Sequence, residues 1–507
     1  MNAIVILPLS VLIPLVGSLV CFVIHRRVAV VTGLAIAGLT TLSALATAYL
    51  IATSGLQIYT LGGWHAPLGI QFRADGLSAI MILMTGVVGL GISFYAQAYF
   101  GHYQTANEQR GAEMFWPIWL FLWGSMNALY MSADLFNIYV ILEIIGLAAV
   151  GLLTLTGRRK VLIAGMRYLL AAMAGSLVYL LGVSMLYAAY STLDIGLLSA
   201  AIDGGRVPAA AFALMLIGLL LKTAAFPLHF WLPPAHGSAT APVSAILSAL
   251  VVKASFYLVL RLWFQVFHDV VTFQTGQLLG MLGTGAILWG SIQALRQTRV
   301  KMMVAYSTVA QLGYLFFVFP VSTVTDPSIN APMMPWLVAG SRGCLYQVLA
   351  HAFAKTAFFM AAGVLLHAAG SDHIDHMRGL AKRLPVTVFA MALAAVSLMG
   401  LPPSGGFVAK WLTTSAVLAA GQWWWAPIVI GGGLLTAGYM FLVLRYAFSA
   451  ADPDTTLHKV PKSLEACALV MALLSIGMGL RAEEILDLLM VGWPFAAPAA
   501  GLVGGGL

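Results

Sequence analysis

Lys222, Lys253, Lys355 and Lys410 each stand inside an apolar run long enough to cross a bilayer. An ammonium in hydrocarbon costs about 2.5–3.5 kcal/mol on insertion scales, so each should face an interior path or a partner rather than lipid. Glu143, in DLFNIYVILEIIGLAAVGLL, is the one acidic residue deep in such a run; Asp134 lies near the end of the same stretch. Burial raises a carboxylate's proton affinity and lowers a lysine's, and proximity of the two opposes both shifts. A buried glutamate and lysine within reach can therefore trade a proton when a neighbouring charge changes. Glu143 and Lys222 form a candidate pair of this kind; a static ion pair is the plainer alternative. His351 and Lys355, in YQVLAHAFAKTAFFMAAG, are four residues apart and share one helix face. An imidazole, titrating near neutral pH, can relay protons there. His229 and His236 follow Lys222 and are candidates for a half-channel or for a water-exposed helix end. Tyr306, Ser307, Thr308 and Gln311 could hold water between Lys253 and His351, although hydroxyls in membrane helices also bond backbone carbonyls.

The elements that must position these residues are interrupted by the sequence itself. Leu219–Phe256 reads LLLKTAAFPLHFWLPPAHGSATAPVSAILSALVVKASF. Pro227, Pro233, Pro234 and Pro242 each remove a backbone donor, and Gly237 loosens what remains. Broken backbone at membrane depth is tolerated only where protein buries it or where it lines a wet cavity. A second interruption, Leu401-Pro402-Pro403-Ser404-Gly405-Gly406, precedes Lys410. Matching breaks in two halves point to a transport site between repeats. The breaks fall in the seventh and twelfth spans, five apart. Five is odd, so the repeats are inverted; they are placed at about residues 114–263 and 276–448.

The whole chain is consistent with this. It has 507 residues, of which 61% are hydrophobic and 8% charged, against about 25% charged in soluble proteins. An all-α integral membrane protein follows, in one polytopic domain spanning residues 1–507. About fourteen spans of roughly 20 residues can be drawn: 4–24, 28–52, 76–100, 114–132, 134–155, 162–190, 208–228, 241–263, 276–295, 301–320, 341–368, 384–422, 426–448 and 462–481. No basic residue precedes the first, which therefore reads as a retained helix rather than a signal peptide. Fifteen basic residues fall in odd-numbered loops and four in even loops and the tail. The positive-inside rule then puts both termini outside the cytoplasm. Arg261 is counted here in an even loop and Lys301 in an odd one. Gln57–Phe72, QIYTLGGWHAPLGIQF, reads as a small outer-surface hairpin, with Tyr59 and Trp64 as interfacial anchors. Cys21, Cys344 and Cys467 lack a metal or redox spacing and read as packing residues. Asp372-His373-Ile374-Asp375-His376 has metal-like composition, but it stands with Arg378, Lys382 and Arg383 and reads as a solvated loop or subunit contact. No nucleotide, dinucleotide, metalloprotease or serine-hydrolase motif is present. Neither a cofactor nor a nucleic acid is called for, and the net charge of +8 reflects loops on one membrane face.

Five stretches carry a resemblance: DLFNIYVILEIIG, LKTAAFPLHFWLPPAHGSATAPVSAILSALVVK, RVKMMVAYSTVAQLGY, LAHAFAKTAFFMAAG and GLPPSGGFVAKW. Over about residues 60–450 the chain resembles the antiporter-like proton-pumping subunits shared by respiratory complex I, membrane-bound hydrogenases and Mrp-type multisubunit cation/proton antiporters. The resemblance implies fourteen helices in two inverted five-helix repeats, with helices seven and twelve broken. It implies a coupling pair of Glu143 and Lys222, a central relay at Lys253, a continuation through His351 and Lys355, and a terminal lysine at Lys410. The long lateral helix of the largest subunit type is not seen after the fourteenth span, so the likeness is to D-type Mrp or hydrogenase-related subunits. Partners are then other membrane subunits in a plasma membrane, with protons and a monovalent cation such as Na+ as cargo. The leading expectation is a proton-translocating subunit of an Mrp-type antiporter. The same pump module in an NADH:quinone oxidoreductase or a hydrogenase is the alternative, and an inert membrane scaffold is the alternative of another class. Five mid-membrane charges argue against the scaffold.

Overall fold

The structure is a computed structural model that describes residues 3–101, 106–325, 334–450 and 457–492; the side chains of Arg26 and Arg110, counted above among loop charges, lie outside the described residues. The chain opens with Ile6–Val23 (α1) and Arg26–Ser54 (α2), then a hairpin of Gln57–Thr60 (β1) and Gln71–Ala74 (β2). Gln57 pairs with Ala74 and Thr60 with Gln71 in antiparallel register. The expected hairpin is therefore present, and it runs two residues beyond Phe72. Gly76–Phe100 (α3), Ala106–Met131 (α4), Leu135–Leu153 (α5), Arg159–Tyr190 (α6), Ile195–Ala201 (α7) and Arg206–Thr223 (α8) lead to the first break. Leu232–Ser238 (α9) and Ala241–Ile246 (α10) follow, then a π-helical turn Leu247–Val251, Val252–Arg261 (α11) and a second π turn Leu262–Val266. The second half holds Phe273–Leu295 (α12), Val300–Gly313 (α13), Val318–Ser322 (α14) and Pro335–Ala369 (α15). Leu380–Arg383 (α16), Pro385–Met399 (α17), Gly405–Ala419 (α18), Ala426–Phe448 (α19), Lys462–Gly477 (α20) and Ala482–Met490 (α21) complete it.

Among the described residues twelve helices are long and apolar enough to cross a membrane. The other two expected spans are present in different form. The expected 114–132 segment lies within α4, whose amino-terminal turns are polar. The expected 384–422 segment is two helices of 15 residues each, α17 and α18. The chain is thus an integral, multi-pass membrane protein.

Local chemistry sets the helix ends. Asp75 caps α3 through the Ser78 amide at 3.0 Å, and Asp134 caps α5 through Asn137 at 2.7 Å. At the first break Ala224 turns left-handed at φ 56°, and the Ala225 amide returns to Leu220 O at 3.0 Å. The indole of Trp231 donates to Leu221 O at 2.9 Å and stacks on Tyr168 at 4.3 Å. Those bonds satisfy carbonyls that the end of α8 would otherwise leave open. At the second break Gly400 adopts φ 82°, where a Cβ is strained, and Ser404 caps α18 through Phe407 at 3.2 Å.

Three elements form the interior: the Ala241–Val266 span, α13 and α15. The most apolar stretches of the first and last are wholly buried, whereas α20 turns most of its surface outward. The interior helices carry Lys253, His351 and Lys355. Two charged residues expected in loops are also interior. Arg261 is buried in α11 on Asp75 of α3. Lys301 is buried in α13 and donates to Ala239 O. Asp372 is likewise not solvated: it is 4% exposed, with Arg299 Nε at 2.8 Å. The apolar windows misplaced all three because their partners are distant in sequence.

Candidate functional site

The mid-membrane lysines rest on backbone carbonyls and hydroxyls. Among the described residues none of the four has a carboxylate within ion-pair distance. Lys222, in the last turn of α8, donates to Leu142 O of α5 at 3.2 Å. The crossing that delivers it there is close, since a Cβ on Gly218 would fall 2.3 Å from Gly175 O of α6. Glu143 neighbours that carbonyl and lies within electrostatic reach of Lys222, but the two are not ion-paired. Glu143 is half-buried, on the α5 face where Phe136, Val140 and Leu147 are exposed. Asp134 stands apart as the α5 cap, accepting from the Asn137 amide.

Lys253 is fully buried and donates to Ser248 O at 2.9 Å and Ala249 O at 2.8 Å, both within the first π turn. Such turns disrupt the regular helical ladder and recur at functional sites. From there polar groups line one face of α13. Ser248 Oγ is 2.9 Å from Thr308 Oγ1, and Thr308 donates to Val304 O at 3.0 Å. Lys355 of α15 donates to the same Val304 O at 2.8 Å and to the Ser307 hydroxyl. One turn further along α13, Gln311 accepts from Gln347 Nε2 at 2.8 Å and donates to Leu398 O at 3.1 Å. Lys410 of α18 donates to that Leu398 O at 2.8 Å and to Met399 O at 2.9 Å, with its ammonium 4.5 Å from the Tyr314 ring centroid.

His236 is fully buried, stacked on Phe359 at 5.0 Å, and neither ring nitrogen has a protein partner. His351 is 2% exposed with Nε2 likewise unpartnered. Buried polar atoms seldom stay unpaired, so these nitrogens call for a partner that the described residues do not supply. His236 is within electrostatic reach of Lys355, Lys301 and Lys253, which places it against the line rather than at its end. His229, beside Phe226 and near the break, is also buried, with Nδ1 unpartnered.

The structure thus joins Lys253, Lys355 and Lys410 through one face of α13 and sets Lys222 beside Glu143. No hydrogen bond among the described residues links Lys222 to Lys253. Ser307, Thr308 and Gln311 lie on the joining face; Tyr306 is half-exposed and does not. Sequence reasoning missed Gln347, Tyr314, Thr436 and Tyr439, the last two adjoining Gln311. Gln347 had a signal, being four residues before His351 on one helix face. A cavity of about 340 Å³ adjoins Lys410, lined by Gly400, Phe407, Trp411, Gly433 and Leu434. That lining is mostly apolar.

Comparison with known proteins now gives this arrangement its context. The chain is 32% identical over 447 residues to NADH-quinone oxidoreductase subunit N of Desulforudis audaxviator, covering 85% of each. It is 29% identical over 500 residues to the D-type Na(+)/H(+) antiporter subunit of Bacillus subtilis, covering 96% of this chain and 95% of that one. A chain in the structure of the Mrp complex from Dietzia sp. DQ12-45-1b superposes with a TM-score of 0.87 over 98% of this chain and 97% of that one, at 24% identity. A chain of respiratory complex I from Thermus thermophilus superposes at 0.73 over 96% and 98%, at 22% identity. At those identities the superpositions speak to fold. The transmembrane model of NADH:quinone oxidoreductase and Mrp antiporter subunits matches residues 132–436, the region that holds every lysine of the line. With well over half of its length matched, the chain belongs to the NADH:quinone oxidoreductase/Mrp antiporter transmembrane family and is an antiporter-like membrane subunit.

Proposed function

We propose that this protein carries protons through the membrane as one subunit of an Mrp-type cation/proton antiporter, along a line of Glu143, Lys222, Lys253, His351, Lys355 and Lys410. The observation that carries the reading is the α13 face, beside which three buried ammoniums rest on backbone carbonyls and a hydroxyl, Thr308 sharing Val304 O with Lys355 and Gln311 sharing Leu398 O with Lys410, with no fixed counter-charge among the described residues. Cations held this way can lose a proton without stranding an anion. A unit charge about 4 Å away is worth ~4 kcal/mol at an effective dielectric of 20. That moves a proton affinity by about three units, enough for each site to switch the next without large motion. His236 and His351 offer unpaired ring nitrogens where the chain of direct contacts needs water.

Partner subunits belong to this reading. Glu143 reaches one exposed flank, and the cavity at Lys410 adjoins another where Trp411 and Leu434 are exposed. A half-exposed carboxylate at membrane depth is costly against lipid and is relieved by a protein neighbour. The chain has no energy source of its own, so coupling to a monovalent cation such as Na+ falls to the assembled complex, in the plasma membrane with both termini on the non-cytoplasmic side. The breaks at α8–α9 and α17–α18 support inverted repeats at about 114–263 and 276–448.

The alternative, the same module inside a redox pump, is favoured by the oxidoreductase relative at 32% identity. Co-purification separates the two: small cation-antiporter subunits support the first reading, and iron–sulfur or nickel subunits the second. The line itself is tested with Lys253→Ala in the complex reconstituted in vesicles. Assembly with proton transport lost supports it; assembly with wild-type transport removes Lys253 from the line and ends the proposal.

A further inference from the structure

Arg261, Asp75 and Tyr257 form a buried polar cluster that the lysine line does not use. Arg261 grips Asp75 with both terminal nitrogens, at 2.5 and 2.6 Å, and donates from NH2 to Ser78 Oγ at 2.9 Å. Its Nε donates to the Tyr257 hydroxyl at 2.8 Å, and Tyr257 donates to Tyr130 O at 2.6 Å. The cluster borders a cavity of about 110 Å³ lined by Arg73, Ser132, Asp194, Tyr257, Arg261 and Gln265, beside half-exposed Ile58 of the hairpin. A water needs roughly 10–15 Å³ of such volume, so there is room for several. Arg73 Nε is buried in this region without a side-chain or backbone partner. Cationic Arg73 and Arg261 stand with anionic Asp75 and Asp194 there, a balance that suits water rather than a charged ligand.

Lys253, Tyr257 and Arg261 are spaced by four on one helix and share a face. Lys253 now points back to Ser248 and Ala249, away from Tyr257. Its stem is about as long as the ~5.4 Å rise of one helical turn, and its ammonium rotates freely. Swung toward the other end of the helix, the stem would point at Tyr257, one turn on. We propose that Tyr257 and the cavity held open by the Arg261–Asp75 pair form the access route between Lys253 and the membrane face that carries the hairpin. This rests on the mid-membrane reading above and gives that line one of its two aqueous mouths.

The transfer is balanced. Lys253 gives one ammonium proton to the Tyr257 oxygen while the hydroxyl's own proton, which now lies on Tyr130 O, turns to the cavity and passes to a water there, leaving a neutral amine and an intact phenol. Inward movement is the reverse. Arg261 does not deprotonate in proteins; it and Asp75 are positioning residues, holding the phenol oxygen at the cavity wall.

The test uses the assembled complex in vesicles, with Cys21→Ala, Cys344→Ala and Cys467→Ala as the parent background shown to transport. Gln265→Cys places a thiol in the cavity and Ile58→Cys one at its rim. A membrane-impermeant methanethiosulfonate is added from the hairpin face. Labelled Gln265→Cys is expected to lose proton transport at least tenfold, whereas labelled Ile58→Cys retains it. Tyr257→Phe keeps the ring and the ion pair, and is expected to lose transport at least tenfold in a complex that still assembles. Labelled Gln265→Cys transporting at the unlabelled rate overturns the route. So does a Gln265→Cys thiol that the reagent cannot reach while it reaches Ile58→Cys, and so does wild-type transport by Tyr257→Phe. Lys253→Ala, assayed alongside, keeps the two readings apart. If it retains transport the whole line falls; if it is inactive while labelled Gln265→Cys is normal, only this mouth falls.

Discussion

Lys410 occupies a site that suits either a permanent or a titrating cation. Its ammonium holds Leu398 O and Met399 O, the last carbonyls of α17, and lies over the Tyr314 ring. Helix carboxyl ends and aromatic faces both favour a cation. Arginine distinguishes the two roles, because guanidinium keeps its charge and does not deprotonate. Lys410→Arg and Lys410→Ala are both expected to assemble with transport severely impaired, measured as proton flux in vesicles. Near-normal flux in the arginine variant, with loss in the alanine variant alone, makes Lys410 a fixed charge. Glu143→Ala and Lys222→Ala are likewise each expected to abolish coupled transport in an assembled complex. Because Lys222 is held by Leu142 O and not by Glu143 itself, losing the glutamate should leave the lysine in place; wild-type flux in both variants reduces the pair to structure. The candidate lysines were legible in the sequence because a charge inside an apolar run is conspicuous. Their acceptors were not, because a carbonyl at Val304 or Leu398 has no side-chain signature. Nor was Arg261 on Asp75: its partner is 186 residues away, and it stood close to the end of its apolar run.

The helices divide along the same physical line. Prolines and glycines announced the two breaks, and both are present. Their use differs from the expected symmetry. Lys222 stands on α8, before its break, and reaches across to α5, whereas Lys410 stands on α18, after its break, and reaches back to the end of α17. The π turn that receives Lys253 has no proline or glycine within it to announce it. The α6–α8 crossing was also silent, since glycine in an apolar run is ambiguous until its neighbour is known. A Cβ on Gly218 would approach Gly175 O to 2.3 Å and the Tyr179 amide to 2.9 Å. Both are backbone, so the helices must part rather than a side chain turn. Gly218→Ala is expected to cost about 1–3 kcal/mol, the range for overpacking, and to draw Lys222 away from Leu142 O. Thermal unfolding of the purified subunit measures the first effect, and proton flux in the assembled complex the second. An unchanged midpoint with unchanged flux means that the crossing tolerates a methyl group.

At the scale of the whole molecule the proposed line would lead from the flank of Glu143 to the flank of Lys410, while the Tyr257 cavity adjoins the hairpin at Ile58. Which aqueous compartment that cavity meets depends on orientation. Arg261 and Lys301, counted as loop charges, are buried and leave the tally one from each side, so the excess on the Arg158, Arg159 and Lys160 face persists. Basic loops within about 15–20 residues of span ends stay cytoplasmic. The hairpin follows two spans and the Arg159 loop follows five, so the two must lie on opposite faces. Both test positions are exposed: Trp64 at the hairpin tip is 65% exposed and Arg159 is on the surface. With the three native cysteines replaced, Trp64→Cys is expected to react with an impermeant thiol reagent in intact cells. Arg159→Cys is expected to react only in inverted vesicles. The reverse pattern turns the molecule over, sends the Tyr257 mouth to the cytoplasm and overrides the charge rule. Reaction of both thiols from one side breaks the odd spacing of three spans between them, and with it the count of spans before Arg159.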